Sequence, residues 1–249
     1  MSWDVLLPHV DVPQGAEPKH VTIVLPYYEN PRFLAVQLAQ WVNRPARLGA
    51  YLSLIVCDDA SPRYPAEAVI ASMDLGPDVR LFRNTGPDIA WNWIGARNRG
   101  AHEAEDGWLL MTDMDHVLPQ STAEALVYGK HSPSAVYAFE RREHSGEKIH
   151  PHSASFFMTK AMFWKIGGYD ERFAGHYGSD GQYRKRLRAT APLLVSSDRL
   201  IRYERQGDSS TTAYDRKSPE DNEAIVRIAK EIEGTPPLVL SFPYVEVAL

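Results

Sequence analysis

Apolar residues along the chain form short runs, and between the runs they recur every three or four positions. The runs at residues 21–25 (VTIVL), 52–57 (LSLIVC), 79–82 (VRLF) and 108–112 (WLLMT) each end in polar or turn-forming residues. Runs of this length are typical of strands buried in a parallel sheet. The three-to-four spacing predicts helices, one opening at Asn30 and Pro31 and one over residues 90–105. Together these elements predict an α/β fold.

The second half of the chain is less regular. It predicts strands over residues 136–140 and 154–159, a short helix over 160–166, a basic helix over 182–188 and a last helix that begins at Ser218. Because no repeat or low-complexity tract divides the chain, we expect one domain over residues 21–210, whose halves are 21–116 and 117–210. A leader over residues 1–20 precedes it, and a helix and tail over residues 211–249 pack on the same domain.

Composition and charge narrow the class of protein. The chain has 249 residues, of which 44% are hydrophobic, and a formal charge of −5 argues against a protein that coats nucleic acid or an anionic membrane. The single cysteine, Cys57, excludes an intramolecular disulfide framework and leaves too few thiolates for a structural zinc site. The N-terminus has no signal-peptide pattern and no segment predicts a transmembrane span, so we expect a cytoplasmic protein.

Carboxylates follow three of the predicted strands. Glu29 comes after the first strand, Asp58 and Asp59 follow the second, and Asp113 and Asp115 follow the run WLLMT. Open α/β sheets bind ligands beyond the carboxyl ends of their strands. This recurrence therefore predicts a ligand site at that edge of the sheet.

The pair Asp113 and Asp115 has the spacing of a metal site. In an extended segment, residues two apart point the same way, so both carboxylates can meet one hard cation such as Mg²⁺ or Mn²⁺. His116 could be a third ligand, although a histidine that only makes hydrogen bonds is the simpler interpretation. By itself a D-x-D sequence is also common in solvated loops.

Two other groups of residues have both a binding and a structural interpretation. Asp58 and Asp59 could accept hydrogen bonds from a nucleobase or ribose, or they could cap the turn that follows them. Arg97 shares a helix face with Ile94 and Ala101 that points toward the sheet, where it needs an anion. That anion could be a nucleotide phosphate or one of the aspartates in an internal ion pair.

The order of these segments identifies a family. VTIVLPYYEN, LIVCDDAS, ARNRGAHEAEDGWLLMTDMDH and KIGGYDERFAGHYGSDGQYRKRL follow one another as in the family 2-type glycosyltransferases, which the chain resembles over about residues 21–188. The resemblance implies the GT-A fold, a Rossmann-like, mixed and mainly parallel sheet flanked by helices. It also makes residues 21–116 the nucleotide-binding half and residues 117–210 the acceptor-side half.

The resemblance implies a role for each matching residue. On the donor side, residues that border or contact the nucleotide are Pro26, Tyr27, Glu29, Asp58 or Asp59, and Arg97. Asp113 and Asp115 are implied to hold Mn²⁺ or Mg²⁺ against the diphosphate of a nucleotide sugar, with a UDP-sugar as the first choice. Asp180 is implied to be the general base of an inverting transfer to an acceptor hydroxyl. Its alternative role is to cap the helix that follows.

The chain departs from the family pattern in three places. Ser179 replaces the acidic residue expected before Asp180, and Ala60 replaces the glycine of the segment that begins at Asp58. The histidine that often follows the last strand is missing. The third metal ligand is therefore one of four candidates, namely His116, His150, His152 or water.

The acceptor side offers fewer signals. The basic residues Arg184, Lys185, Arg186 and Arg188 form a solvated helix face or contact an anionic acceptor. Trp91 and Trp93 could stack on a sugar ring or fill the core. We expect a metal-dependent inverting glycosyltransferase. The alternatives are a nucleotidyltransferase of similar fold, which lacks its expected glycine-rich loop here, and a non-catalytic carbohydrate or nucleotide-binding module.

Overall fold

A computed structural model of the chain describes residues 7–87, 89, 92–203 and 219–249, and every structural statement below refers to them. The strands are β1 His9–Val10, β2 Val21–Tyr27, β3 Leu52–Asp58, β4 Val79–Asn84, β5 Trp108–Met111, β6 His116–Val117, β7 Val136–Glu143, β8 Lys148–Ile149, β9 Phe156–Thr159, β10 Leu193–Arg202 and β11 Tyr244–Val247. The helices are α1 Pro31–Val42, α2 Ala46–Gly49, α3 Ala66–Ile70, α4 Trp93–Glu103, α5 Gln120–Tyr128, α6 Lys160–Ile166, α7 Asp180–Thr190 and α8 Pro219–Glu231, with a 3₁₀ turn at Glu171–Phe173.

The described strands form one sheet in the order β1-β10-β7-β9-β5-β2-β3-β4-β11. Five of the eight pairings along this path are parallel, which confirms the predicted single-domain α/β fold with a mixed, mostly parallel sheet. β9 is antiparallel to both of its neighbours, β5 and β7. The carboxyl ends of β2, β3, β5 and β7 and the amino end of β9 therefore share one edge of the sheet.

Helices cover both faces of the sheet. On one face, α1, α2, α3 and α5 pack through residues such as Leu34, Leu48 and Leu126. On the other face, α4, α6 and α7 pack through residues such as Ile94 and Phe163. The two layers follow from the strand sequences, because successive residues of a buried strand point to opposite faces and both sets are apolar.

The predicted starts of the helices agree with the structure at α1 and differ from it at α7. α1 begins where expected, since the side chain of Asn30 accepts a hydrogen bond from the Phe33 amide at 3.1 Å and Pro31 occupies the first turn. α7 begins two residues earlier than predicted, because Asp180 already belongs to its first turn. The predicted starts of α4 at residue 90 and of the last helix at Ser218 lie outside the described residues.

Gly100 fixes the approach of α4 to the sheet. A Cβ atom at this position would lie 2.3 Å from Cγ1 of Val24 in β2, which is far inside van der Waals contact. Only glycine therefore allows α4 to lie this close to the strand. Because α4 lies so close to the sheet, Arg97, one turn before Gly100, lies against the ends of the strands.

One buried histidine should make stability depend on pH. His131 packs against Trp108, Tyr137 and Phe157, and its Nε2 has no hydrogen-bond partner. Burial first, and then the charge of Lys19, lower the pKa of His131 from 6.5 to about 4. Below pH 6.5 His131 therefore binds a proton in the unfolded chain, whereas in the folded chain it binds one only near pH 4. The contribution of His131 to stability is fully present above pH 6.5 and is lost as the pH drops toward 4.

We expect the free energy of unfolding to fall by about 1–2 kcal/mol between pH 7 and pH 5 because of this residue. Urea unfolding at both pH values would measure the loss, and His131→Phe should show a smaller one. An equal pH dependence in the two proteins would contradict this assignment.

Candidate active site

A cavity of about 490 Å³ opens at the edge of the sheet where the strand ends meet. Of the residues predicted from the sequence, the cavity is lined by Pro26, Tyr27, Asp59, Asp113, Asp115 and Asp180. Trp93 also lines it, whereas Trp91 lies outside the described residues. Four other predicted residues, Glu29, Asp58, Arg97 and His116, are buried around the cavity rather than on its wall.

Asp113 is held from below by Arg97. The fully buried guanidinium donates to Oδ1 of Asp113, to the carbonyl of Ala154 and, at 3.2 Å, to the hydroxyl of Tyr169. Burial acts to raise the pKa of Asp113, but the charge of Arg97 outweighs it and holds that pKa below its usual range. The internal ion pair was one of the alternatives for Arg97, and the structure has it.

His152 contacts Asp113 from the loop that precedes β9. Its Nε2 lies 3.3 Å from Oδ2 of Asp113, and its Nδ1 lies 2.9 Å from the hydroxyl of Ser155. Burial lowers the pKa of His152 to about 3 despite the opposing charge of Asp113. A histidine with so low a pKa is neutral at physiological pH, which is the form that binds metals.

The position of His152 follows from the direction of β9. Because β9 runs antiparallel to β5, the residues that precede β9 lie beside those that follow β5. Thr112 and Ser155, which continue the two strands, have hydroxyl oxygens 3.4 Å apart. Asp113 directly follows Thr112, and His152 lies three residues before Ser155.

His116 completes a group that could hold a metal ion. One ligand atom from each of Asp113, His116 and His152 lies within 4.8 Å of the others. His116 is 1% exposed, and although its Nδ1 lies 2.9 Å from an oxygen of Asp115, neither ring nitrogen has a hydrogen-bond partner. A buried ring nitrogen without a hydrogen-bond partner is unfavourable unless something binds it. The residues present therefore fit a divalent cation.

Two of the predicted ligand candidates, Asp115 and His150, are not members of this group. Asp115 lines the cavity beside this group, and its backbone carbonyl accepts from the amide of Tyr203 at 2.7 Å. The loop itself is braced by Gln37, whose side chain donates to the carbonyls of Met114 and His116 at 2.8 and 2.7 Å.

Asp58 and Asp59 point to different partners. The carboxylate of Asp58 is 1% exposed and accepts from the amides of Ser61 and Ala66 at 2.9 and 2.8 Å, which is the turn-capping arrangement. Burial raises the pKa of Asp58 against these hydrogen bonds. Asp59 lines the cavity and accepts from the side chain of Asn84 at 3.1 Å and from the Asn92 amide at 3.0 Å.

The turn that follows Asp59 contains one of the departures from the family pattern. Ala60 has a φ of +58°, in the left-handed region that favours glycine. The glycine expected at this position would adopt the same backbone without strain. Glu29, two residues after β2, also has a positive φ of 51° and holds the loop between β3 and α3 by accepting from the amides of Arg63 and Tyr64 at 2.8 and 3.1 Å.

Asp180 also lines the cavity and lies in the first turn of α7. Its carboxylate forms an ion pair with Arg184, one turn later, at 3.2 Å. The helix N-cap is Ser179, whose buried hydroxyl makes no capping hydrogen bond. The loop before Asp180 packs on α8, where Cδ1 of Ile225 would lie 3.6 Å from a Cβ at Gly178.

Sequence reasoning missed one cation of the cavity, and left another undecided. Arg141 on β7 lines the wall, as does Arg184 of the basic helix. One of two adjacent arginines in the polar half of a strand gives no signal until the strand is placed in the sheet. His152 was one of four candidates, because only the antiparallel direction of β9 separates it from His150.

A family model agrees with this geometry. The model described as "Glycosyl transferase family 2" matches residues 22–189, about two thirds of the chain. The chain belongs to glycosyl transferase family 2. The resemblance stated from the sequence is thereby confirmed, and a sugar-transferring enzyme is favoured over the nucleotidyltransferase alternative.

Solved structures show the fold of this family 2 glycosyltransferase domain. S. aureus TarS 1-349 is 16% identical, with a TM-score of 0.64, over 89% of this chain and 67% of that one. The same protein in complex with UDP-GlcNAc is 18% identical, with a TM-score of 0.61, over 89% and 68%. GalNAc-T7 with UDP, GalNAc and Mn²⁺ is 16% identical, with a TM-score of 0.56, over 86% and 48%. Such likenesses establish the GT-A fold.

Two further searches gave no match to a curated protein and no membrane-spanning helix in the described residues. No curated protein gives a significant match to the chain. Within the described residues of the glycosyltransferase, no helix combines the length and the apolar character needed to cross a bilayer.

The contacts of Asp58 predict a structural role. Asp58→Ala should lower the free energy of unfolding by about 1–3 kcal/mol, because two buried backbone amides lose their acceptor. Asp58→Asn keeps one acceptor oxygen and should lose less. Denaturant unfolding of the three proteins would test this, and an Asp58→Ala variant as stable as the wild type would contradict it.

Proposed function

We propose that the protein transfers a sugar from a nucleotide-diphosphate sugar to an acceptor hydroxyl, with a divalent cation and with inversion at the anomeric carbon. The observation that carries the proposal is that one cavity is lined by Asp59, by Asp180, and by Asp113 and His152, two members of the group that could hold a cation. The UDP-GlcNAc in TarS and the UDP and Mn²⁺ in GalNAc-T7 support a UDP-sugar donor and a cation of this kind.

On the donor side, Asp59 is the carboxylate that we assign to the nucleoside. Its two oxygens already accept from Asn84 and Asn92, which fix its orientation. A carboxylate has about four lone-pair positions, so it can still accept from a ribose hydroxyl or a base N–H. Pro26 and Tyr27 line the same part of the sheet edge and would border the base.

The cation would be held by Asp113, His116 and His152, with Asp115 beside them. When bound, it supplies positive charge for the diphosphate that leaves with the bond electrons. Mg²⁺ prefers oxygen ligands, whereas imidazole suits softer transition metals. Two histidines in the group therefore favour Mn²⁺ over Mg²⁺. Arg97 keeps Asp113 ionised and oriented for this task.

Asp180 is the proposed general base. The acceptor oxygen forms a bond to the anomeric carbon, the bond from that carbon to the diphosphate oxygen breaks, and the hydroxyl proton passes to the Asp180 carboxylate. The ion pair with Arg184 orients the carboxylate toward the cavity wall that both residues line. Attack opposite the leaving group inverts the configuration.

The acceptor is a hydroxyl compound, and the basic residues of α7 favour one with an anionic group. Arg184 lines the cavity, so a negative charge on the acceptor could approach it. The cytoplasm stays the predicted compartment.

Metal binding gives the first test of this proposal. The affinity for UDP should rise by about tenfold or more with Mn²⁺, rise less with Mg²⁺ and fall with a chelator, since the cation links protein and diphosphate. His152→Ala should lose the Mn²⁺ effect, and the matched control His150→Ala should keep it. Calorimetric titration would measure both. UDP affinity that is the same with and without metal in the wild type would remove the cation from the proposal.

The base gives the second test. Asp180→Asn keeps the size of the side chain but removes its basicity, so turnover of UDP-GlcNAc should fall by about 100-fold or more while UDP affinity stays nearly unchanged. Release of UDP, with water or a supplied hydroxyl compound as acceptor, measures turnover, and early NMR spectra give the anomer formed. An active Asp180→Asn enzyme, or a product with the donor's configuration, would reject Asp180 as the base of an inverting transfer.

A further inference from the structure

Arg141 lies on β7 and lines the cavity, whereas Glu140 and Arg142, its neighbours along the strand, do not. Arg142 pairs with Glu140 at 2.8 Å, and Lys148 pairs with the same carboxylate at 2.7 Å. Arg141, one residue along, lines the cavity instead, as the alternation of a strand requires. The two adjacent arginines thus have different surroundings.

The guanidinium of Arg141 has few partners. Among the described residues, no carboxylate lies within ion-pair distance of it, and its hydrogen bond is a long one of 3.5 Å from Nη1 to the carbonyl of His150. Its Nε is buried without a partner. Arginine has five N–H donors, so most of the hydrogen-bonding capacity of this side chain is unused.

The other arginines of the site are already paired. Arg97, beneath the cavity, binds Asp113, and Arg184, across it, binds Asp180. Burial lowers the pKa of Arg141, and the nearby charges of Asp115 and Asp113 act against that effect. A partly buried cation without a paired anion is unfavourable, so Arg141 favours the binding of an anion beside it.

The cavity also needs positive charge for its proposed substrate. Its wall carries the carboxylates of Asp59, Asp113, Asp115 and Asp180, which repel an anion. When the bond to the sugar breaks, the leaving nucleoside diphosphate gains a further negative charge. A guanidinium can meet two phosphate oxygens at once through its planar fork.

We propose that Arg141 binds the diphosphate of the donor beside the cation and stabilises the charge that develops on it. This inference rests on the proposed function. The electron pair of the broken bond goes to the diphosphate oxygen and the acceptor proton goes to Asp180, so Arg141 exchanges no proton. Its contribution is electrostatic and grows as the leaving group departs.

Nucleotides that differ by one phosphate separate this role from others. With Mn²⁺ present, Arg141→Met should bind UDP about 10- to 100-fold more weakly than the wild type, while its affinity for UMP should change by less than about threefold. Arg141→Lys keeps the charge but loses the fork, so its affinity for UDP should lie between the two. Arg142→Met, the matched control, should bind both nucleotides as the wild type does. Calorimetric titration measures all four proteins.

Each other outcome has a distinct meaning. Equal losses for UMP and UDP in Arg141→Met would overturn the inference, as would unchanged UDP affinity with a raised KM for an anionic acceptor. A wild type that binds neither nucleotide would reject the proposed function, and this inference with it. If Arg141→Met does not fold, Arg141→Lys decides, and unchanged UDP affinity in that variant overturns the inference.

Discussion

The buried ion pair between Arg97 and Asp113 is the interaction on which the site depends. It joins α4, the end of β5 and the start of β9, because Arg97 also donates to the carbonyl of Ala154 and to Tyr169. Burying such a pair is expensive, and removing one partner from a pair of this kind costs about 3–5 kcal/mol, since the other charge is left alone. The pair fixes the position of Asp113 rather than adding much to overall stability.

Its placement depends on two features of the backbone. Gly100 brings α4 against Val24, and the reversed direction of β9 brings the segment before that strand to the end of β5. Together they set an arginine, an aspartate and a histidine around one point. The carboxylate can then be ionised and oriented before any cation or substrate binds.

The fold and the aspartates at the strand ends could be predicted from the sequence, because buried strands and their polar ends are local patterns. Asp113 and Asp59 line one cavity, as their positions after strands predicted, and Asp180, which only the family resemblance indicated, lines the same cavity. His152 could not be selected over His150, since the direction of a strand depends on its partners. Arg141 had no local signal at all.

One segment that carries the family resemblance has a structural role. Glu171, the last residue of the segment GGYDE that resembles the family motif, does not line the cavity. It accepts from Asn98 at 2.7 Å and from the amides of Leu240 and Ser241 at 2.9 and 2.6 Å. The motif here fastens the C-terminal segment to α4, next to Arg97. Such a use depends on residues about 70 positions away and cannot be deduced from the motif itself.

That fastened segment goes on to form β11, which pairs with β4 along four residues, from Tyr244 opposite Asn84 to Val247 opposite Leu81. Without it, β4 would present a row of open backbone donors and acceptors to other molecules, which is the usual starting point for edge-to-edge aggregation. At the other side of the sheet, the outer strand β1 is only two residues long. The chain therefore protects its sheet from self-association with its own C-terminal segment, which is held by a carboxylate that also binds α4.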